Sequence, residues 1–222
     1  MQQVRCYLLG ERAVVLEVSP PATLPVQQKI WALAERFLHT PEVEDVVPGM
    51  NNLTLILHAG CGDPLRWIKA LEHAWQQVDS LAHTAREVLI PVIYGGDAGP
   101  DLADVARHTG LTEREVVARH SGASYVVYFL GFLPGFPYMG GLPPELTTPR
   151  RAEPRVAVPA GAVGIGGSQT GIYPLASPGG WQLIGRTPLP LFNPAETATG
   201  SGPTLLRPGD RVRFVPQPEG LC

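Results

Sequence analysis

The chain has 222 residues, of which 44% are hydrophobic and 17% are charged, a balance typical of a globular protein rather than a disordered one. Its net charge of −3 argues against a general nucleic-acid binder, and no apolar run reaches the roughly 18 residues of a membrane span. The first residues lack the layout of a signal peptide, so we expect a cytoplasmic protein that binds neither nucleic acid nor membranes.

Cysteine and histidine patterns give no sign of a metal site or a disulfide framework. The three cysteines, Cys6, Cys61 and Cys222, form no CxxC pair, and the six histidines form no HxxxH pair. We therefore predict free thiols and no bound metal.

Glycine and proline divide the chain into two parts. Residues 1–90 contain 4 glycines and 6 prolines, whereas the rest of the chain holds the other 21 and 18 of the totals of 25 and 24. Such a jump indicates a change of architecture near residues 85–95. We predict two domains, a small α+β domain at residues 1–84 and a mostly-β domain at residues 85–222.

The first part predicts the order strand, strand, helix, strand, strand, helix, with the helices covering one face of a small sheet. Thr23 caps the first predicted helix, and Asp63 caps the second with Pro64 as its first helical residue. The apolar stripe of the second helix is predicted at Leu65, Ile68, Leu71 and Trp75. The strands are predicted at Val4–Leu9, Ala13–Val18, Val43–Val47 and Leu53–Leu57.

The second part opens with a predicted strand and two short helices. Asp101 is predicted to cap the first helix, and Thr112 with Glu115 three residues later forms a capping box for the second, which ends near His120. Many short strands between Gly/Pro turns follow, which favours a closed β-barrel. Predicted strands include Val88–Tyr94, Ser124–Leu130 and Arg211–Val215.

The glycine-rich run Gly164–Gly171 fits neither the P-loop nor the dinucleotide pattern, because Ile172 and Tyr173 replace the Lys-Ser/Thr pair and Gln169 replaces the third glycine. Two interpretations stay open with equal weight. The backbone amides of the run could hold an anion, or the glycines could form a tight turn in the barrel.

A dense segment between His120 and Trp181 is the candidate binding region. The guanidinium group of an arginine can bind a carboxylate or a phosphate through two parallel hydrogen bonds, and aromatic rings can supply apolar walls beside it. The alternative is that the rings are core and the arginines are solvated. His120 follows Arg119 at a helix end, where the dipole would favour a charged imidazolium and either an acid/base or a capping role. The predicted binding residues are Phe132, Pro134, Phe136, Tyr138, Arg150, Arg151, Arg155, Gly166, Gly167, Gln169, Tyr173 and Trp181.

Four motifs in this segment resemble the KipI / allophanate hydrolase subunit 1 family, and within it the bacterial 5-oxoprolinase B subunits. The resemblance covers essentially the whole chain, including Pro48–Asn52 and the terminal residues 216–222. It implies an N-terminal α+β domain followed by a cyclophilin-like barrel. The motifs are Gly131–Tyr138, Thr148–Arg151, Val158–Gly167 and Gln169–Pro174.

The resemblance also implies an activity and partners. Together with a larger C subunit and an A subunit, the family's B subunit opens 5-oxo-L-proline to L-glutamate at the expense of ATP. We expect ATP, with Mg²⁺, at the assembled complex, and an anionic group near Arg150, Arg151, Arg155 and the glycine run. His120 and Arg151 are the candidate catalytic residues.

Two other roles remain open for this family. Some relatives inhibit sensor histidine kinases without any small-molecule site, and others form half of a biotin-dependent carboxyltransferase. The only lysines, Lys29 and Lys69, lie outside any AMKM-type sequence, so we expect no biotin on this chain.

Overall fold

A computed structural model of the chain describes residues 2–79, 85–199 and 202–218. Its residues group into two compact units, Met1–Thr84 and Ala85–Cys222, which we take in turn. Within the described ranges, no helix is long and apolar enough to cross a membrane.

The first unit is a four-stranded antiparallel sheet with two helices. Helix α1 spans Leu24–Leu38 and helix α2 spans Leu65–Gln77. The strands are β1 (Val4–Leu9), β2 (Ala13–Val18), β3 (Val43–Gly49) and β4 (Asn52–Leu57). The sheet order is β1-β2-β4-β3, so the first hairpin pairs with the second through its inner strand.

Alternating apolar residues of this sheet form a core with the two helices, as the sequence pattern predicts. Thr23 caps α1 as expected, its hydroxyl accepting from the Val26 amide. The prediction for α2 is wrong in detail. The helix begins at Leu65, one residue later than predicted, and Leu65 is 57% exposed. The rest of the predicted stripe is confirmed: Leu71 is buried, and Ile68 and Trp75 pack partly buried against the core, beside the buried Trp67 and Ala74. The Asp63 carboxylate still accepts a hydrogen bond from the Leu65 amide.

The second unit contains the predicted barrel, which is confirmed as a closed ring of seven strands. The parallel pair in the ring is formed by its first and last strands along the chain, and its other pairs are antiparallel. The strands are β5 (Glu87–Tyr94), β6 (Tyr125–Leu130), β7 (Pro137–Gly140), β9 (Ala162–Gly166), β10 (Gln169–Ile172), β12 (Gln182–Arg186) and β13 (Arg211–Gln217), while β8 (Arg155–Val158) and β11 (Ser177–Gly179) form a separate ribbon.

Two helices, α3 (Leu102–Thr109) and α4 (Glu113–Gly122), complete this unit. The predicted capping box of α4 is present: the Thr112 hydroxyl accepts from the Glu115 amide, and the Glu115 carboxylate accepts from the Thr112 amide. Asp101 precedes α3 but makes no capping bond, because its carboxylate is engaged elsewhere.

The glycine-rich run is a β-hairpin, which is the second of the two interpretations. Gly164–Gly166 belongs to β9, and β10 begins at Gln169, with Gly167 in the turn at a φ of +65°. The Gly167 amide donates to the Thr148 carbonyl at 2.8 Å, and the Thr148 amide donates back to the Gly167 carbonyl at 3.2 Å. The Gly167 amide is therefore already engaged and is not free to bind an anion.

Candidate functional site

A pocket of about 280 Å³ on the second unit brings much of the predicted binding segment together. Aromatic rings form its walls and two arginines lie at its edge. Its lining residues are Phe132, Phe136, Tyr138, Arg150, Arg151, Pro154, Tyr173, Pro178, Gly179, Gly180 and Trp181. We call it the aromatic pocket.

Phe136 is the centre of the aromatic wall. Its ring is buried and meets three neighbours edge to face, Tyr173 at 5.2 Å, Trp181 at 5.5 Å and Phe132 at 5.6 Å between ring centroids. Edge-to-face pairs of this kind stabilise beyond simple area burial and fix ring orientation. The wall is consequently preformed.

Glycines let these rings lie directly against the backbone. A Cβ added at Gly166 would come within 2.5 Å of the Trp181 indole, and one at Gly179 within 2.5 Å of the Tyr173 hydroxyl. Neither position tolerates a side chain without moving a ring. Gly166 therefore contributes to the site by leaving room for the Trp181 ring.

The backbone at Phe132 has an unusual conformation. Its φ is +66°, and the Leu133 amide donates to the Gly131 carbonyl at 2.8 Å, which makes Phe132 the centre of a γ-turn. A bulky residue at positive φ is strained, and such strain clusters at functional sites. The turn leaves the Phe132 side chain 60% exposed at the pocket, although it is apolar.

The arginines of the segment fall into two groups. Arg150 is exposed, and its guanidinium lies 5.9 Å from the Trp181 ring centroid, a cation–π distance. Arg151 and Arg155 instead share the buried carboxylate of Asp101, at 3.0 and 2.6 Å. Sequence patterns did not reveal Asp101 as part of the site, because its partners lie some fifty residues away.

The structure places His120 away from this pocket, inside the barrel core. The ring is fully buried and stacks on Phe214, while its Nδ1 lies 2.8 Å from the Tyr94 hydroxyl and its Nε2 lies 3.0 Å from the Thr170 hydroxyl. Burial lowers the pKa of His120 to about 3, so the expected charged imidazolium is not formed at neutral pH. We therefore give His120 a structural role.

This burial predicts a pH effect on stability. Because the folded pKa lies below the ordinary value of about 6.5, the unfolded chain binds the proton more readily. The contribution of His120 is complete above pH 6.5 and is lost as the pH falls, with a slope approaching about 1.4 kcal/mol per pH unit. Denaturant unfolding between pH 7.5 and 5 measures how the free energy of unfolding changes with pH. This free energy should change less with pH in His120→Gln than in the wild type. His108→Gln, at an exposed position of α3, should show the same pH dependence as the wild type.

Five predicted binding residues do not line the aromatic pocket, and one of them, Gly166, lies at the end of β9 behind the Trp181 ring. Pro134 lies in the loop between β6 and β7, Gly167 in the hairpin turn, and Gln169 at the start of β10. Arg155 does not line it either, and reaches it through Asp101, which it shares with Arg151.

A larger cavity of about 840 Å³ lies elsewhere on the same unit. Its walls are mostly proline and aliphatic residues, with one arginine, Arg186, and one acid, Asp97. The Arg186 Nε already donates to the Ala160 carbonyl. We place the candidate site in the smaller pocket because it combines an excess of positive charge with a preformed aromatic wall.

Comparison with known proteins gives a consistent set of relatives. The chain matches the family described as carboxyltransferase domain, subdomain C and D, over residues 4–201. It is 59% identical to the 5-oxoprolinase B subunit of Escherichia coli O157:H7 over all of both chains. The identity to the corresponding B subunit is 47% for Haemophilus influenzae, over 93% of this chain and 95% of the relative, and 44% for Bacillus subtilis, over 93% and 90%.

Solved structures share the fold. The crystal structure of TTHA0988 is 38% identical with a TM-score of 0.76, covering 94% of this chain and 40% of that one. The urea carboxylase of Kluyveromyces lactis, at 20% identity, has a TM-score of 0.77 over 97% of this chain and 22% of its own. The family match over residues 4–201 and the 59% identity over the full length of both chains establish the family. The chain belongs to the carboxyltransferase subdomain C and D family, and within it to the 5-oxoprolinase B subunits.

Proposed function

We propose that this chain is the B subunit of an ATP-dependent 5-oxoprolinase, which opens 5-oxo-L-proline to L-glutamate. The observation that carries the proposal is the 59% identity to a 5-oxoprolinase B subunit over the whole of both chains. The chain would work in the cytoplasm with a larger C subunit and an A subunit. This chain corresponds to only 40% of TTHA0988, so the rest of that protein supports the idea of a second module, which a partner subunit would supply here.

The chemistry explains a need for ATP. A five-membered lactam is a stable amide whose carbonyl resists attack by water. Transfer of the γ-phosphoryl group of ATP to the lactam oxygen would release ADP and leave a much better electrophile. Water could then attack the ring carbon, and the C–N bond would break as the nitrogen takes a proton, which opens the ring to γ-glutamyl phosphate. A second water would hydrolyse this acyl phosphate to glutamate and phosphate. Charge on the transferring phosphoryl group calls for cationic side chains and Mg²⁺.

The aromatic pocket is the proposed place for substrate on this chain. Its volume of about 280 Å³ lies just below the usual range of about 300–1,000 Å³ for drug-sized ligands, so it suits a small ring acid rather than a whole nucleotide. The lactam ring would lie against Phe136 and Trp181. Arg150 and Arg151 would face its carboxylate or the transferring phosphoryl group.

We further propose that residues 1–84 and 85–222 are separate domains, the second cyclophilin-like, and that no biotin is attached to this chain.

Reconstitution from separate subunits tests the function. Glutamate release from 5-oxoproline is measured with this chain, its C- and A-type partners and ATP, and then with each component omitted. Glutamate that forms only with the complete set supports the proposal. Full activity without this chain would overturn it.

A further inference from the structure

The carboxylate of Asp101 is buried and fully engaged in hydrogen bonds. Its side chain is 2% exposed. Oδ1 accepts from Arg151 Nη1 at 3.0 Å and from Arg155 Nη2 at 2.6 Å, while Oδ2 accepts from Arg155 Nη1 at 2.8 Å and from the Leu183 amide at 2.7 Å. With each oxygen accepting twice, Asp101 has no capacity left to bind a ligand itself.

The two arginines on Asp101 are held differently. Arg155 makes a bidentate pair through both Nη atoms, the strongest arrangement for arginine and carboxylate. Arg151 uses Nη1 alone. One carboxylate thus faces two guanidinium groups, which leaves an excess of one positive charge at Arg151. Of the acids in the adjoining cleft, Asp104 is paired with Arg107 at 2.8 Å, and Glu153 is exposed.

Arg151 also carries a buried donor without an acceptor. Its Nε is inaccessible to water and makes no hydrogen bond, while its backbone amide is fixed to the Gly180 carbonyl at 2.7 Å. The Nε is therefore closed to a ligand, but 33% of the Arg151 side chain is exposed and Arg151 lines the aromatic pocket, where an anionic oxygen can approach the guanidinium group.

We propose that Asp101 is a positioning residue, which holds the Arg151 guanidinium group so that it binds an anionic oxygen of the ligand in the aromatic pocket. This inference rests on the proposed function. The shared chemistry is an oxygen of a carboxylate or a phosphoryl group. The carboxylate of 5-oxoproline and the γ-phosphoryl group of ATP are the two sources, and their separate KM values distinguish them.

The test is steady-state kinetics of the reconstituted enzyme with Asp101→Asn. Asparagine keeps the size of the side chain and can still accept from the Leu183 amide, but the charge that orients Arg151 is lost. Asp210→Asn is the matched control. Asp210 is also buried, binds Arg86 at 2.6 Å and accepts from the Arg207 amide at 2.8 Å, but Arg86, unlike Arg151, does not line the aromatic pocket.

We expect Asp101→Asn to raise one of the two KM values about tenfold, because a neutral side chain no longer holds the Arg151 guanidinium group in place. A change in the KM for 5-oxoproline assigns the carboxylate, and a change in the KM for ATP assigns the phosphoryl group. Asp210→Asn should leave both KM values unchanged, even where it lowers the melting temperature. Unchanged KM values for a folded Asp101→Asn would overturn the inference.

A second variant covers the case in which Asp101→Asn does not fold. Arg151→Lys keeps the positive charge and an ion pair to Asp101, but it lacks the planar guanidinium group that can bind Asp101 and a second anion at once. We expect the same KM to rise about tenfold, and wild-type KM values for this variant would overturn the inference. A wild-type mixture that forms no glutamate would instead refute the proposed function, so the two failures are distinguishable.

Discussion

Replacing Arg151 with alanine is expected to lower kcat/KM of the assembled enzyme for 5-oxoproline about a hundredfold. Arg151 lines the aromatic pocket and carries the excess charge beside Asp101, and removal of one charged donor at such a site costs roughly 3 kcal/mol. Arg155, which keeps its bidentate pair, should hold Asp101 and the fold in place.

Arg107→Ala serves as the control for this variant. Arg107 lies on α3 with its side chain 76% exposed, paired with Asp104 on the same helix. Its removal should change kcat/KM less than twofold, as is usual for an exposed pair. Wild-type turnover and KM in Arg151→Ala would refute the role of Arg151.

Replacing Phe132 with glycine is expected to make the enzyme about tenfold less active, and the glycine variant is expected to be more stable than the alanine variant. Glycine adopts positive φ without strain, so relative to alanine the γ-turn loses a penalty of about 1 kcal/mol. The melting temperature of the glycine variant should lie about 2–4 °C above that of the alanine variant. Activity should fall because the pocket loses an aromatic wall.

Phe132→Ala separates the two effects. Alanine removes the ring but keeps the Cβ, so it should lower activity as glycine does without the gain in melting temperature. Equal melting temperatures for the glycine and alanine variants would show that the turn is not strained. Unchanged activity in both would remove Phe132 from the substrate pocket.

Local signals in the sequence were sufficient for much of the fold. Thr112 and Glu115 are three residues apart, so their capping box could be predicted from spacing alone, and it is confirmed. The density of Gly/Pro turns after residue 90 likewise predicted the barrel. The exposure of Leu65 could not be predicted, because spacing alone does not show whether the first residue of α2 is covered by the rest of the core.

The candidate site could be predicted only in part from local sequence patterns. Composition indicated the aromatic rings and Arg150, which lie close together in the chain and also line one pocket. Asp101 looked like a helix cap, since nothing local to it shows that its carboxylate meets Arg155. His120 looked like a helix-end histidine, and only the packing of Phe214 and Thr170 around it shows a neutral core residue.

Protection of arginines from phenylglyoxal would test most directly whether the substrate lies in the aromatic pocket. The assembled enzyme is modified with and without 5-oxoproline and ATP, and the rates at Arg150, at the pocket, and Arg186, at the larger cavity, are followed by peptide mass spectrometry. We predict that substrate slows modification of Arg150 several-fold and leaves Arg186 unaffected. Equal rates at Arg150 with and without substrate, or protection of Arg186 alone, would contradict the assignment of this pocket.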